Sequence, residues 1–171
     1  MNSKIFFAGG CFWCTEAIFR RVKGVEKVLP GYIGGHIKNP SYKEICSGRT
    51  GHAEAVSVEF DDKIILLEKL LLIFFQTHDP TQVNRQGNDI GPQYRSAIFY
   101  TNQKQKKLIE KTVNRLTKSI FINKDIVTKV ELAKDFYVAE KEHLNYFDLN
   151  ANQPYCQLVI MPKIHKLKDL L

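Results

Sequence analysis

Lys4-Ile5-Phe6-Phe7-Ala8-Gly9-Gly10-Cys11-Phe12-Trp13-Cys14-Thr15-Glu16 is the stretch from which the rest of the chain can be read. Residues 4–8 form a short apolar run and predict a first β-strand. Two glycines then let the backbone turn sharply and leave the next side chain open to a ligand. From Cys11 the pattern becomes helical. Cys14, Ile18 and Val22 share a helix face, and Gly24 stops the helix after residue 22. A strand running through two glycines into a helix puts Cys11 at or near the helix N-terminus. Unpaired N–H groups there favour a thiolate and are expected to lower a cysteine's pKa. Glu16, one turn on, opposes that effect if it is close.

Outward from this unit, strand-like and helix-like segments alternate, with no repeat, low-complexity tract or linker. Residues 25–33 predict a strand ending in Gly34-Gly35, and 36–51 a loop with one short turn near Tyr42. Residues 52–60 alternate as a strand. Residues 66–77 carry Leu67, Leu70, Leu71 and Phe74 at helical spacing. Residues 78–95, with Pro80, Gly87, Gly91 and Pro92, predict a long loop, which in a compact domain is usually functional. A strand at 96–100, a helix at 103–120, a strand at 125–132 and a short helix within 140–147 follow. From residue 150 onward we expect an irregular tail. The order argues for a single α+β domain over residues 1–171, a mixed sheet with helices packed on it.

The strand at 52–60 carries an anomaly. Val56, Val58 and Phe60 set the parity of its buried face, and Glu54 has that same parity, whereas Glu59 has the solvent parity. A carboxyl at the buried end of a strand has its pKa raised by desolvation, and a carboxylic acid still neutral at pH 7 can donate a proton. The alternative is that pairing begins after Glu54 and the side chain is wet.

Bulk properties narrow the function further. At 171 residues the chain suits one domain. No apolar run is long enough to span a bilayer, and residues 4–8 are too short and too weakly charged for a signal peptide. The expected location is the cytosol. The formal net charge of +7 reads as solvated helix faces, with lysines at 104, 106, 107 and 111 and again at 163, 166 and 168. No nucleic-acid module is present. A reducing cytosol disfavours a structural disulfide framework for the four cysteines, Cys11, Cys14, Cys46 and Cys156, and one C-x-x-C without a second pair does not make a zinc site. Catalytic use of at least one thiol follows. Cys14, three residues after Cys11, is within disulfide reach in helix geometry, or else is a small buried apolar residue. Phe12 and Trp13 wall an apolar pocket or belong to the core. As helix neighbours they do not share a face, so at most one is wholly core.

Taken in order, these residues resemble the A-type peptide methionine sulfoxide reductases. The resemblance runs through Gly10-Cys11-Phe12-Trp13, Gly31-Tyr32-Ile33-Gly34-Gly35, Asn39-Pro40-Ser41-Tyr42, Cys46-Ser47-Gly48 and Thr50-Gly51-His52-Ala53-Glu54. It continues through His78-Asp79-Pro80-Thr81-Gln82, Arg85-Gln86-Gly87-Asn88-Asp89, Gln93-Tyr94-Arg95-Ser96 and Ala139-Glu140 with His143. It covers nearly the whole chain. It implies a two-layer α/β sandwich with a ferredoxin-like core, no metal or organic cofactor, and reduction of methionine S-sulfoxide, free or in proteins, as repair after oxidation. By the same resemblance Cys11 is the nucleophile, Glu54 the buried acid, and Tyr42 and Tyr94 the phenols on the sulfoxide oxygen. Phe12 and Trp13 receive the methyl group, and Asp89 anchors the substrate backbone. The Cys11 sulfenic acid would then condense with a second thiol, and an external dithiol, thioredoxin, would reset the pair.

The chain departs from the family at position 14, where many relatives carry Gly, and after Cys156, where many have a Gly-rich tail with a resolving cysteine. The resolving thiol is therefore Cys14, Cys156 or both in relay, with Cys14 favoured by local geometry. Cys46 reads as structural. Nothing in the sequence calls for an oligomer, so a monomer is expected. His52 and His143 lie in the resembled motifs without a chemical task. A thioredoxin-type disulfide oxidoreductase and a non-catalytic basic binding module are the rival readings, and neither accounts for Glu54.

Overall fold

The computed structural model describes residues 2–171. Its frame is two interleaved β-α-β units. Strand β1 (Asn2–Gly9) leads through helix α1 (Phe12–Phe19) to β2 (Val25–Ile33). A short helix α2 (Tyr42–Cys46) follows, then β3 (Ala53–Asp61), helix α3 (Leu67–Gln76), a two-residue hairpin β4 (Arg85–Gln86) and β5 (Asp89–Ile90), and β6 (Ser96–Tyr100). Strand β3 lies between β1 and β2 and is antiparallel to both, while β6 flanks β1 antiparallel on the other side. This is the split β-α-β, ferredoxin-like arrangement. Helix α4 (Gln103–Ser119) crosses to β7 (Lys129–Leu132), which joins β6 in parallel, and β8 (Phe136–Val138) joins β2 antiparallel. The result is a mixed six-stranded sheet in the order β7-β6-β1-β3-β2-β8.

The two strand faces bury different things. Ile5, Phe7, Val28, Tyr32, Val56, Val58, Phe60 and Ile98 share one cluster with the apolar side chains of the helices, among them Ile18, Leu70, Phe74, Ile109 and Leu116. The reverse face holds a smaller cluster of Phe6, Ala8, Ile33, Ala53, Ala55, Ala97 and Phe99, with Phe136 against it. One helical layer on one sheet face makes the expected two-layer sandwich.

Two local expectations are corrected. The tail is not irregular. After α5 (Tyr146–Leu149), one wide π turn (Cys156–Ile160) runs into helix α6 (Met161–Leu170), which buries Ile160, Ile164 and Leu167 in the main core. Pro162 in the first turn of α6 needs no intrahelical donor, so it starts the helix instead of breaking it. The strand expected at 125–132 begins only at Lys129, because Val127 donates to the Pro80 carbonyl instead of entering the sheet. The long loop at 78–95 is ordered by its own side chains. The Gln86 amide exchanges two hydrogen bonds with the main chain of Asp79, and Gln82 Oε1 accepts from Gly87 N.

Candidate active site

Cys11 caps the N-terminus of α1 in an extended conformation, as the strand–glycine–helix reading requires. Gly10, at φ 93°, makes the turn. A Cβ there would also lie 2.7 Å from Cγ of Gln86, so the loop packs directly against the residue before the nucleophile. The Cys11 side chain is 9% exposed.

The strand parity argument holds for Glu54, which is 1% exposed. In the sheet register it sits opposite Tyr32. Oε1 accepts the Phe12 main-chain N–H at 3.2 Å, and Oε2 is buried with no hydrogen-bond partner among the described residues. Burial pushes its pKa up to about 8; the Phe12 N–H opposes the shift and the Asp89 charge adds to it. The side chain is therefore a neutral acid at pH 7.

Burial works against the thiolate expected at Cys11. Burial raises its pKa well above 9.0, and the charges of Glu54 and Cys14 raise it further. Only the Trp13 N–H pulls it down. The helix N-terminus does not outweigh burial, and its Phe12 N–H is committed to Glu54. Glu16, which was to oppose the thiolate, turns away and accepts from Asn145 N at 3.0 Å.

Aromatic side chains surround this pair. Phe12 is fully buried, and its ring lies 5.7 Å from that of Tyr32, 6.5 Å from Tyr42 and 5.3 Å from His143. Trp13 is only partly buried, as two adjacent helix positions require. It stacks on Tyr146 with centroids 3.7 Å apart, and its Nε1 donates to His143 Nδ1 at 3.1 Å. Tyr42 and Tyr94 are half-buried. Burial raises both phenol pKa values, and the Glu54 charge raises them further, so both side chains lie within reach of that charge. Tyr42 stands in the first turn of α2, which is fixed by a capping box between Ser41 and Glu44.

Two of the other thiols, Cys14 and Cys156, lie toward the C-terminal segment. Cys14 is 3% exposed, and its Sγ is 3.7 Å from the Tyr155 hydroxyl, which donates to Asp89 Oδ2 at 2.7 Å. Asp89 is thus tied to the C-terminal segment. Burial raises the Cys14 pKa, and Lys163 opposes this. Cys156 is fully buried at the start of the π turn, and its charge bears on Cys14. Cys46, expected to be structural, is exposed at the end of α2, with its thiol on the Tyr42 hydroxyl. All four thiols are free.

The sequence reading missed several members of this shell. His143 sits against Phe12, Trp13 and Tyr42 at once, and Glu140, Tyr32, Tyr146 and Tyr155 join the cage. The clue was that Glu140, His143, Tyr146 and Tyr155 stand close together in an otherwise polar stretch. His52 is a loop brace, with Nδ1 accepting from Gly35 N and Nε2 against the Ile37 carbonyl.

A nucleophilic thiol beside a neutral acid, walled by aromatics and ringed by phenols, suits attack on a small polar group attached to an apolar one. Comparison with known proteins agrees. The sequence model of the family "Peptide methionine sulfoxide reductase" matches residues 3–170. The peptide methionine sulfoxide reductase MsrA of Psychrobacter sp. (strain PRwf-1) is 54% identical over 166 residues, 96% of this chain and 93% of that one. The crystal structure of Mxr1 from Saccharomyces cerevisiae in reduced form superposes with a TM-score of 0.85 at 36% identity, covering 91% of this chain and 89% of that one. Mxr1 in complex with Trx2 superposes with a TM-score of 0.60 at 26% identity, covering 85% and 84%. With its fold, its site and nearly its whole length accounted for, the chain belongs to the peptide methionine sulfoxide reductase family.

Proposed function

We propose that this chain reduces the S epimer of methionine sulfoxide, free or within proteins, with Cys11 as nucleophile and Glu54 as proton donor. The observation that carries the reading is the pairing of a buried Cys11 thiol with a buried, neutral Glu54 inside the cage of Phe12, Trp13, Tyr42 and Tyr94. The sulfoxide methyl lies between Phe12 and Trp13, and the oxygen meets the carboxyl and the two phenols. Fixing methyl and oxygen separately selects one sulfur epimer.

A sulfoxide sulfur becomes electrophilic when its oxygen is protonated. Glu54 gives up its proton to that oxygen, and the carboxylate so formed takes the proton of the Cys11 thiol as sulfur attacks sulfur. Oxygen passes to Cys11, methionine leaves, and Glu54 ends as it began. No standing thiolate is needed, which fits the raised pKa of Cys11. One thiol and one sulfoxide become one sulfenic acid and one thioether.

Cys14 then condenses with the sulfenic acid, releasing water, and Cys156 exchanges into the new disulfide. Supporting this order, the charge of Cys14 bears on Cys11 and that of Cys156 on Cys14. Asp89, at the same rim, holds the substrate main chain. Thioredoxin, seen with the yeast relative in the Trx2 complex, serves as the external dithiol. No helix among the described residues is long and apolar enough to cross a membrane. The enzyme acts as a monomer in the reducing cytosol, where free thiols persist.

The test is a single turnover without reductant, using the separated epimers. One equivalent of methionine per enzyme from the S epimer, with little from the R epimer, is expected. Absence of methionine from both, or loss of nothing on Cys11→Ser, overturns the reading.

A further inference from the structure

Glu140 does two things at once just behind the site. The main chain delivers it directly after β8, where Ala139 N donates to the Pro30 carbonyl and closes the sheet edge against β2. Its Oε1 accepts from the Tyr32 hydroxyl at 2.9 Å, and its Oε2 accepts from the main-chain N–H of Tyr42 at 2.8 Å. The second bond matters for geometry. The N–H of Tyr42 is in the first turn of α2, where no intrahelical acceptor exists, and the Ser41 cap is occupied with Glu44 N. Glu140 is therefore the acceptor that moors this short helix to the sheet.

The first bond matters for chemistry. Tyr32 faces Glu54 across the β2–β3 register and lies within reach of its charge, so three phenols surround the acid: Tyr32, Tyr42 and Tyr94. The Tyr32 hydroxyl proton is committed to Glu140. The same turn of chain carries His143, whose N–H donates to the Glu140 carbonyl and whose ring lies 4.5 Å from that of Tyr42. Tyr42 is thus held from its main chain by one residue of this turn and from its ring by another.

We infer that Glu140 is a positioning residue for the reductase step: it fixes the first turn of α2 so that the Tyr42 hydroxyl meets the sulfoxide oxygen beside Glu54. The inference rests on the reading of Cys11, Glu54 and Tyr42 given above. It assigns Glu140 no contact with substrate. Its whole effect on rate passes through Tyr42.

That last condition makes it testable by a double-mutant cycle on the full chain, read as the single-turnover rate of methionine release. Glu140→Ala is expected to slow release by about ten- to a hundred-fold, the scale of a misplacement of about 1 Å at a reacting group. In a Tyr42→Phe background it is expected to cost little more. Glu140→Gln keeps an acceptor for the Tyr42 N–H and is expected to recover most of the rate. If Glu140→Ala leaves the rate unchanged, or if its loss multiplies fully with that of Tyr42→Phe, the inference is overturned. Should Glu140→Ala fail to fold, the cycle runs with Glu140→Gln, whose smaller loss must likewise vanish in the Tyr42→Phe background. A wild-type chain that releases no methionine would refute the proposed function instead, so the two failures are distinguishable.

Discussion

Phe12 donates its main-chain N–H to Oε1 of Glu54 at 3.2 Å, across 42 residues of sequence. One of the free donors at the start of α1 is thereby given to the acid, although the nucleophile stands one residue earlier. Burial outweighs that bond and raises the pKa of both Glu54 and Cys11, so the site favours the protonated form of each and avoids burying an anion in an aromatic cage.

The first consequence concerns Cys11 without substrate. A buried thiol with a raised pKa is a poor nucleophile toward an external alkylating agent. Inactivation by iodoacetamide is expected to be slow at neutral pH and still accelerating at pH 9.0, the ordinary value from which this thiol is raised. Trapping across a pH series with mass analysis of the Cys11 peptide measures it. A plateau of reactivity below neutral pH would show a standing thiolate and contradict the proton-coupled attack.

Glu54 links activity to pH and stability to pH in the same direction. Its pKa is about 8 in the folded chain against 4.5 for a free glutamate. Between these values the folded state binds more protons than the unfolded, so stability falls as pH rises. The contribution is complete below 4.5 and gone above about 8, with a slope approaching 1.4 kcal/mol per pH unit at most, roughly one proton's worth. Glu54→Gln lacks this dependence. Relative to wild type it is expected to gain stability steadily across that window in urea melts, while its single-turnover rate drops by about ten- to ten-thousand-fold. The wild-type rate is itself expected to decline as pH passes about 8. A Glu54→Gln variant with parallel stability and near-normal rate would remove the acid from both roles.

How far the sequence disclosed this arrangement depended on how local each signal was. The β1–α1 junction and the buried parity of Glu54 were legible because each is set by a few adjacent residues: two glycines, and an alternation of period two. The pKa of Cys11 was not, because it is set first by burial and then by the charge of Glu54, on a strand more than forty residues away. Glu140, His143, Tyr146 and Tyr155 were harder to recognise as site members for a similar reason. They lie on short turns whose positions come from tertiary contacts, such as Trp13 Nε1 to His143 Nδ1 over 130 residues. Strand β8 is three residues long and has no pattern to detect.

The succession of thiols can be separated by single replacements. Cys14→Ser is expected to release one equivalent of methionine at the wild-type rate and then stall in thioredoxin-coupled turnover, with the Cys11 sulfenic acid trappable by a 1,3-dione reagent. Cys156→Ser is expected to reach the Cys11–Cys14 disulfide normally and to slow only at the recycling stage. Peptide mapping after one turnover reads both outcomes. A Cys11–Cys156 bridge formed as fast in Cys14→Ser as in wild type would make Cys156 the direct resolving thiol.

The last prediction tests whether the C-terminal helix is part of the core or only rests on it. Ile164 is 5% exposed within the main cluster, two residues after Pro162, whereas Leu158 on the preceding π turn is 76% exposed. The buried side chains Cys156, Ile160, Ile164 and Leu167 follow one another at helical steps, although the wide turn at the start blurs the period and led the sequence reading to expect no structure there. Deleting a buried aliphatic side chain from a packed site costs about 2–5 kcal/mol, while trimming an exposed one costs within about 0.5 kcal/mol. Ile164→Ala is therefore expected to lower unfolding stability by the larger amount and Leu158→Ala by almost nothing, both read from urea midpoints at constant slope. Because Cys156 is fully buried by this same packing, Ile164→Ala is also expected to make Cys156 alkylate faster. Equal, small effects of the two replacements would mean that the segment is undocked in solution, and that Cys156 is accessible before any turnover.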